Sequence, residues 1–234
     1  MLLAEALAAG VGIDGVYVEP AAADDPSVRA AGAAGVPVHP VAEGALKKVL
    51  DLVTPQSVVA VARAAAVPLG DVVAAAASTG TPLLVLVELQ DPGNAGTLVR
   101  VAEASGCAGV VLTERSVDLH NPKTVRATAG SIFRVPVVQD VSVDAVLEAC
   151  AAAGVPTLAT VALDGTDPES SALDGAVAVL LGSEAHGLAP DLVARADARV
   201  TIPMVGRVES LNAGVAGAVL AFEAARRRRV SDAQ

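Results

Sequence analysis

Three loops hold most of the residues that could do chemistry. The first, QDPGNAG at Gln90 to Gly96, is glycine-rich and leads into a segment carrying Arg100. A turn of this kind between a strand and a helix brings backbone N–H groups and a helix N-terminus onto a ligand. It is not GxGxxG, and no GKS or GKT follows, so it meets neither the dinucleotide nor the P-loop pattern. The second, LGSEAHGL at Leu181 to Leu188, holds Ser183, Glu184 and His186. Its spacing is not G-x-S-x-G, and residues so close in sequence seldom form a triad, which argues against a serine hydrolase. The third, IPMVGRVESLN at Ile202 to Asn212, ends with Ser210 as a candidate helix cap. Asn212 falls in the first turn of that helix, where asparagine is a poor helix former. Side-chain hydrogen bonding is the better reason for its presence.

These loops need a scaffold, and the pattern around them predicts an α/β one. From Met1 to about Asp71 the elements are short. Helices are expected at 2–9, at 25–34 with Asp24 or Asp25 as cap, and at 42–52; extended pieces are expected at 15–19, 37–40 and 57–62. An Ala-rich stretch at 64–82, broken by Pro68, Gly70, Gly80 and Pro82, reads as a linker with a short helix. It sets a domain boundary between 75 and 76. Beyond it, strands at 83–89, 109–113, 157–162, 176–181 and 198–202 are spaced by helices at 95–105, 123–129, 142–153 and 210–228. The turn DPGN at Asp91 to Asn94 separates the first strand from the first of these helices. LLVLVEL at Leu83 to Leu89 is a nearly continuous apolar run, as in a strand covered on both faces. The pattern predicts a parallel sheet with helices on both sides. Ligands in such sheets sit beyond the carboxyl ends of the strands, which is where the three loops fall.

Composition narrows the classes. The chain is 53% hydrophobic but only 1% aromatic, so its core is built from Ala, Val and Leu and it is thin in rings for stacking bases. Cys107 and Cys150 lack CxxC spacing and read as core thiols of a reducing compartment. His39, His120 and His186 are scattered, so no metal site is expected. No basic segment precedes the first apolar residues, and the least charged stretch, Val72 to Val87, contains Gly80 and Pro82. Neither a signal peptide nor a membrane span is expected, which points to a cytoplasmic protein. A net charge of -10 and a pI of about 4.7, taken alone, argue against a nucleic-acid binder.

In this order and spacing, the loops resemble the SpoU (TrmH-like) branch of the SPOUT RNA methyltransferases. The matching stretches are DPGNAGTLVRVAEASG (Asp91 to Gly106), LLGSEAHGL (Leu180 to Leu188) and IPMVGRVESLNAGVAGAVLAFE (Ile202 to Glu223). DLHNPKTVRATAGSIFRVPV (Asp118 to Val137) resembles the segment between the first two. Near the start, LAEALAAG, GVYVE and TPQSVVAVA resemble the family's small substrate-binding domain. The resemblance implies a parallel-sheet SPOUT domain with a deep trefoil knot over 76–234. It implies a small L30e-like α/β domain, binding the RNA substrate, over 1–75. Family members usually carry a basic stretch and a Glu-Gly strand before this first helix, so either the start is truncated or the RNA-binding lobe lacks an edge strand and some basic contacts.

The same resemblance implies S-adenosylmethionine (AdoMet) as methyl donor, no metal, and an RNA ribose 2'-OH as acceptor. It favours 23S rRNA over tRNA, and a homodimer whose active site is completed across the interface. Residue by residue it assigns Asn94, Arg100, Glu184, Ser210 and Asn212 to catalysis, and Gly182, Ile202 and Leu211 to AdoMet, chiefly through backbone groups. A guanidinium stays protonated, so Arg100 is expected to hold the target phosphate or stabilise a developing alkoxide. Asn94, Ser210 and Asn212 would orient it and the ribose, and Glu184 would orient the site. Arg115, Lys123, Arg126 and Arg134 are the expected RNA contacts, with a further basic cluster at Arg226 to Arg229. Against the overall charge, these predict a grip that depends on a small patch. A tRNA 2'-O-methyltransferase and a non-catalytic RNA-binding relative are the alternatives.

Overall fold

The computed structural model describes residues 2–50, 56–64, 66–170, 172–183, 186–208 and 210–231. It divides into two compact units, 1–65 and 66–234. The division falls earlier than the 75/76 boundary expected from the sequence. The helix at 69–79 buries Val72, Val73 and Ala76 in the core of the second unit, so it cannot serve as a linker.

The first unit contains α1 (Leu2–Ala8), β1 (Ile13–Val18), α2 (Pro26–Ala33), β2 (Val38–Pro40), α3 (Ala45–Leu50) and β3 (Val58–Ala62). Of the two expected caps it is Asp25 that caps α2, accepting the Ser27 N–H at 2.8 Å, and Pro26 opens the helix. The sheet order is β2-β1-β3, with β1 and β2 parallel and β1 and β3 antiparallel. Leu3 of α1 and Val28 and Ala31 of α2 pack with Val16 and Val18 of β1 to form a small core on one face of the sheet.

The second unit contains α4 (Leu69–Thr79), β4 (Leu83–Leu86), α5 (Pro92–Ser105), β5 (Gly109–Thr113), α6 (Pro122–Ala127), β6 (Val137–Val141) and α7 (Val143–Ala153). It continues with β7 (Thr157–Thr160), β8 (Ala178–Leu181), α8 (Pro190–Arg195), β9 (Ala198–Val200) and α9 (Ala213–Ser231). Every paired strand is parallel, in the order β6-β5-β4-β8-β7-β9. The central strands are covered on both faces because successive side chains point to opposite sides. Leu84, Leu86, Val110, Leu112, Val179 and Leu181 face α5 and α9, while Leu83, Val85, Val111, Ala178 and Leu180 face α4 and α7.

Several boundaries differ from expectation for local reasons. The DPGN segment is the cap and first turn of α5, not a separate turn: Asp91 accepts the Asn94 N–H at 2.8 Å and Pro92 opens the helix. β4 stops at Leu86, because Glu88 adopts a left-handed backbone, φ +52°. α9 begins at Ala213, and Ser210 is exposed ahead of it. Asn212 is the cap: its Oδ1 accepts the Val215 N–H at 3.2 Å and its carbonyl accepts the Ala216 N–H at 2.9 Å. Two elements were not anticipated. β6 is an edge strand whose VVQDV sequence lacks a long apolar run. α8 has six residues, although Pro190 at its first position is a readable start signal.

Candidate active site

The order in which strands are added reverses between β4 and β8, although the strands stay parallel. The chain leaves β4 towards β5 and β6, then returns through β7 and β8 on the other side. Such a switch point leaves a crevice at the carboxyl ends of the two strands. The first loop follows β4 and the second follows β8, so both flank it. The Val87 N–H donates to Leu181 O at 2.8 Å and keeps the two strand ends together.

α9 brings the third loop to the same place. It runs beside α5 in the same sense. Asn94 on the first turn of α5 lies beside Gly214, Leu98 lies beside Gly217, and Arg228 reaches Ser105 at the far end. Gly217 permits this approach, since a Cβ there would stand 2.3 Å from Leu98 Cδ2 and 2.8 Å from Leu181 Cδ1. The two helix N-termini therefore meet at the crevice, with their partial positive charge directed there. Asn94 Oδ1 and Asn212 Oδ1 each lie 3.1 Å from where a Cβ on Gly214 would be. The amides of the first and third loops are thus neighbours.

The second loop folds back on itself. The Gly187 N–H donates to Ser183 O at 2.8 Å, and Ser183 and Gly187 form an isolated antiparallel bridge. Gly182 lies so close beneath the returning chain that a Cβ would stand 2.2 Å from the Gly187 carbonyl carbon and 2.4 Å from the Leu188 nitrogen. Ile202 and Leu211 are half-buried at the two ends of the third loop. The start of that loop is held by the connection between β7 and β8: the Thr201 N–H donates to Thr166 O at 3.0 Å, and the Gly165 N–H donates to Thr201 Oγ1 at 2.9 Å.

Of the residues assigned from the sequence, Asn94 and Asn212 come together at Gly214, and Gly182 lies at the end of β8. Ser210 is exposed on the third loop. Glu184 lies outside the described residues. Arg100 does not join Asn94 in the same chain. Six residues further along α5, it is displaced by about 9 Å of rise and roughly a third of a turn. It is exposed, and makes no hydrogen bond or ion pair among the described residues.

The basic residues flank α5. Arg115 pairs with Glu88 just before the first loop, and Lys123 Nζ lies 4.0 Å from Asp91 Oδ2 at the helix cap. Arg126 is exposed on α6. Arg134 pairs with Glu103 near the far end of α5 and, with Ser131, holds that carboxyl below its usual pKa. Exposed pairs of this kind are worth roughly 0–1 kcal/mol, so a phosphate can displace the carboxylate. The Arg226 to Arg229 cluster has a different role. Arg226 pairs with Glu223, Arg227 with Asp174, and Arg228 donates to Ser105 O at 2.7 Å and Gly106 O at 3.3 Å, closing the end of α5.

One arrangement escaped the sequence reading. The chain after β4 is latched to the chain after β5. Thr113 Oγ1 accepts the Glu88 N–H at 3.0 Å, Ser116 Oγ accepts the Leu89 N–H at 3.2 Å, and Gln90 Nε2 donates to Arg115 O at 3.1 Å. Glu88 and Arg115 both have positive φ, +52° and +62°. The signal was a lone carboxylate inside the apolar run LLVLVEL. Away from the site, burial pushes the Cys107 thiol up and the Cys150 thiol up to about 11, so both are inert at neutral pH.

Comparison with known proteins gives this geometry a family. The profile of the SpoU rRNA Methylase family matches residues 81–222. The 23S rRNA (guanosine(2553)-2'-O)-methyltransferase RlmP of Bacillus subtilis is 31% identical over 188 residues, which is 80% of this chain and 72% of that protein. An uncharacterized tRNA/rRNA methyltransferase of Synechocystis is 37% identical over 62% of this chain, and the match spans only 53% of its own length. The crystal structure of an AdoMet-bound rRNA methyltransferase from Sinorhizobium meliloti aligns with a TM-score of 0.83 at 30% identity, covering 97% of this chain and 84% of that one. The matched profile takes in all three loops and the helices that bring them together, and on that ground the chain belongs to the SpoU rRNA methylase family.

Proposed function

We propose that this protein is an AdoMet-dependent RNA 2'-O-ribose methyltransferase acting on 23S rRNA. The observation that carries the reading is the meeting of Asn94 and Asn212 at Gly214, beside the folded-back loop at Gly182, in a chain of this family. The relative that aligns with 80% of the chain is a 23S rRNA enzyme. The name that spans tRNA and rRNA belongs to a relative aligned over 62%. Both facts favour rRNA.

The residues fit the cofactor. Gly182 is what lets the returning backbone of Gly187 and Leu188 pass close by and shape the loop at the end of β8, and Ile202 and Leu211 offer half-buried apolar edges for the cofactor. AdoMet, when bound, supplies an electrophilic methyl group on sulfur. The chain's own task is to orient a ribose hydroxyl and stabilise the charge its oxygen develops. Arg100, a fixed cation with a planar fork, holds the neighbouring phosphate or the developing alkoxide. Asn94, Ser210 and Asn212 orient that guanidinium and the ribose, and Glu184 orients the site. The Asn212 Oδ1 is engaged in capping α9, so its amide N–H groups are the ones turned to this work.

Arg100 points away from its own Asn94, so the site is completed by the Arg100 of a second copy in a homodimer. Val215, Val219 and Phe222 support this. They recur at i, i+4 and i+7 along α9 and are 41–49% exposed, an apolar stripe that a second copy would cover. The first unit serves as the L30e-like RNA-binding domain, and the family resemblance further implies the trefoil knot in the second unit. Among the described residues no helix is long and apolar enough to cross a membrane, in keeping with work on RNA in the cytoplasm.

The test is transfer of label from radioactive AdoMet to total rRNA and total tRNA, followed by mapping of the modified nucleotide. Label at a ribose of 23S rRNA is expected. Label in tRNA alone would move the substrate. AdoMet binding with no label in either RNA would leave a non-catalytic RNA-binding relative.

A further inference from the structure

The first unit carries an exposed aromatic pair on the face of its sheet away from the core. Val16, Val18, Val38, Val58 and Ala60 pack towards α1 and α2. The alternate positions are Tyr17, His39, Val59 and Val61, of which Tyr17 is 37% and Val61 49% exposed. Tyr17 is the only tyrosine in a chain with no tryptophan, and it lies on the surface rather than in the core. Its ring stacks on His39, with centroids 5.1 Å apart and planes at 26°.

We propose that this face binds single-stranded RNA by stacking an unpaired base on the Tyr17–His39 pair. The proposal rests on the reading of RNA as the substrate. Tyr17 and His39 are register partners on parallel strands, about 4.8 Å apart, so the two rings stand off the sheet side by side. Each gives one face to the other. β2 is an edge strand, so the outer face of His39 looks past the sheet, and a base can extend the stack there.

Charge and area favour this occupant. Arg63 follows Val61 in alternation past β3, and its Nε donates to Asp14 Oδ1 at 2.8 Å, which neutralises that carboxylate. That pair is exposed and therefore weak, so the guanidinium can turn to a phosphate. Val59 and Val61 provide an apolar floor for a sugar. One tyrosine, one histidine and two valines make a patch well below the roughly 800 Å² per partner of a stable protein interface.

Tyrosine fluorescence of the full chain reports Tyr17 alone. Titration with a short oligoadenylate is expected to quench it saturably. In the methylation assay, His39→Ala and Tyr17→Ala are expected to raise the KM for RNA about ten-fold with kcat retained, whereas Tyr17→Phe keeps the wild-type KM. Circular dichroism melts check that each variant folds. Absence of quenching, or an unchanged KM in both alanine variants, would overturn the proposal. So would a change in sedimentation of Tyr17→Ala with KM unchanged, which would make the face a contact between copies. Quenching without methylation of any RNA by the wild type would instead remove the reaction assigned above and leave the stacking surface standing.

Discussion

Replacing Gly182 by alanine places a methyl group 2.2 Å from the Gly187 carbonyl carbon, 2.4 Å from the Leu188 nitrogen and 2.5 Å from the Gly187 oxygen. All three obstacles are backbone. Ordinary contact begins at 3.4 Å, so the loop must open by more than 1 Å. It cannot open freely: the Gly187 N–H is bonded to Ser183 O, and Leu188 is only 8% exposed, anchored in the core. Overpacking of this kind costs about 1–3 kcal/mol. For a unit of this size that is a fall in Tm of about 3–10 °C. Gly217→Ala supplies the control. Its methyl group meets the ends of Leu98 and Leu181, both fully buried, so it overpacks the α5–α9 contact away from the second loop, and the roughly 1 kcal/mol of helix propensity gained offsets only part of that cost. Thermal unfolding and calorimetric titration with AdoMet read both variants. Gly182→Ala should melt lower and bind AdoMet at least ten-fold more weakly, a loss of about 1.4 kcal/mol. Gly217→Ala should stay within about three-fold of wild type. A Gly182→Ala protein that melts and binds like wild type would refute the role given to the folded-back loop.

Three further outcomes are expected. Arg100→Lys keeps the charge and loses the fork, so methyl transfer should fall at least ten-fold with AdoMet affinity unchanged; a wild-type rate would sink the fork argument. Arg228→Ala removes the donors to Ser105 O and Gly106 O and should cost about 1–2 kcal/mol in urea unfolding, while an unchanged midpoint would count against its capping role. Asp197 accepts the Thr157 N–H at 2.8 Å and its hydroxyl at 2.7 Å, which holds the carboxyl below its usual pKa. Its stabilising contribution is therefore complete above the ordinary carboxylate pKa and is lost as pH falls through the folded value. Asp197→Asn should flatten the acid limb of the stability profile, and an acid limb identical to wild type would show that the bonds contribute nothing.

The sequence by itself determined the local chemistry. Apolar runs such as Leu83 to Leu86 specify strands buried on both faces, and Asp25, Ser142, Gly106 and Gly154 specify helix ends, because capping and alternation act over a few residues. The three loops were legible for the same reason, since each is contiguous. Only the tertiary structure decided which of their residues meet. Asn94 and Asn212 are more than a hundred positions apart and become neighbours through Gly214 and the close passage of α9 over Leu98. Arg100, close to Asn94 in sequence, is turned away by helical geometry. The basic residues show the same limit. Composition counts Arg115, Arg134 and Arg226 to Arg228 as free positive charge, but folding sets them against Glu88, Glu103, Glu223, Asp174 and the end of α5. A charge total sums residues regardless of distance, whereas ion pairing falls off within a few ångströms and depends on which groups the fold brings together.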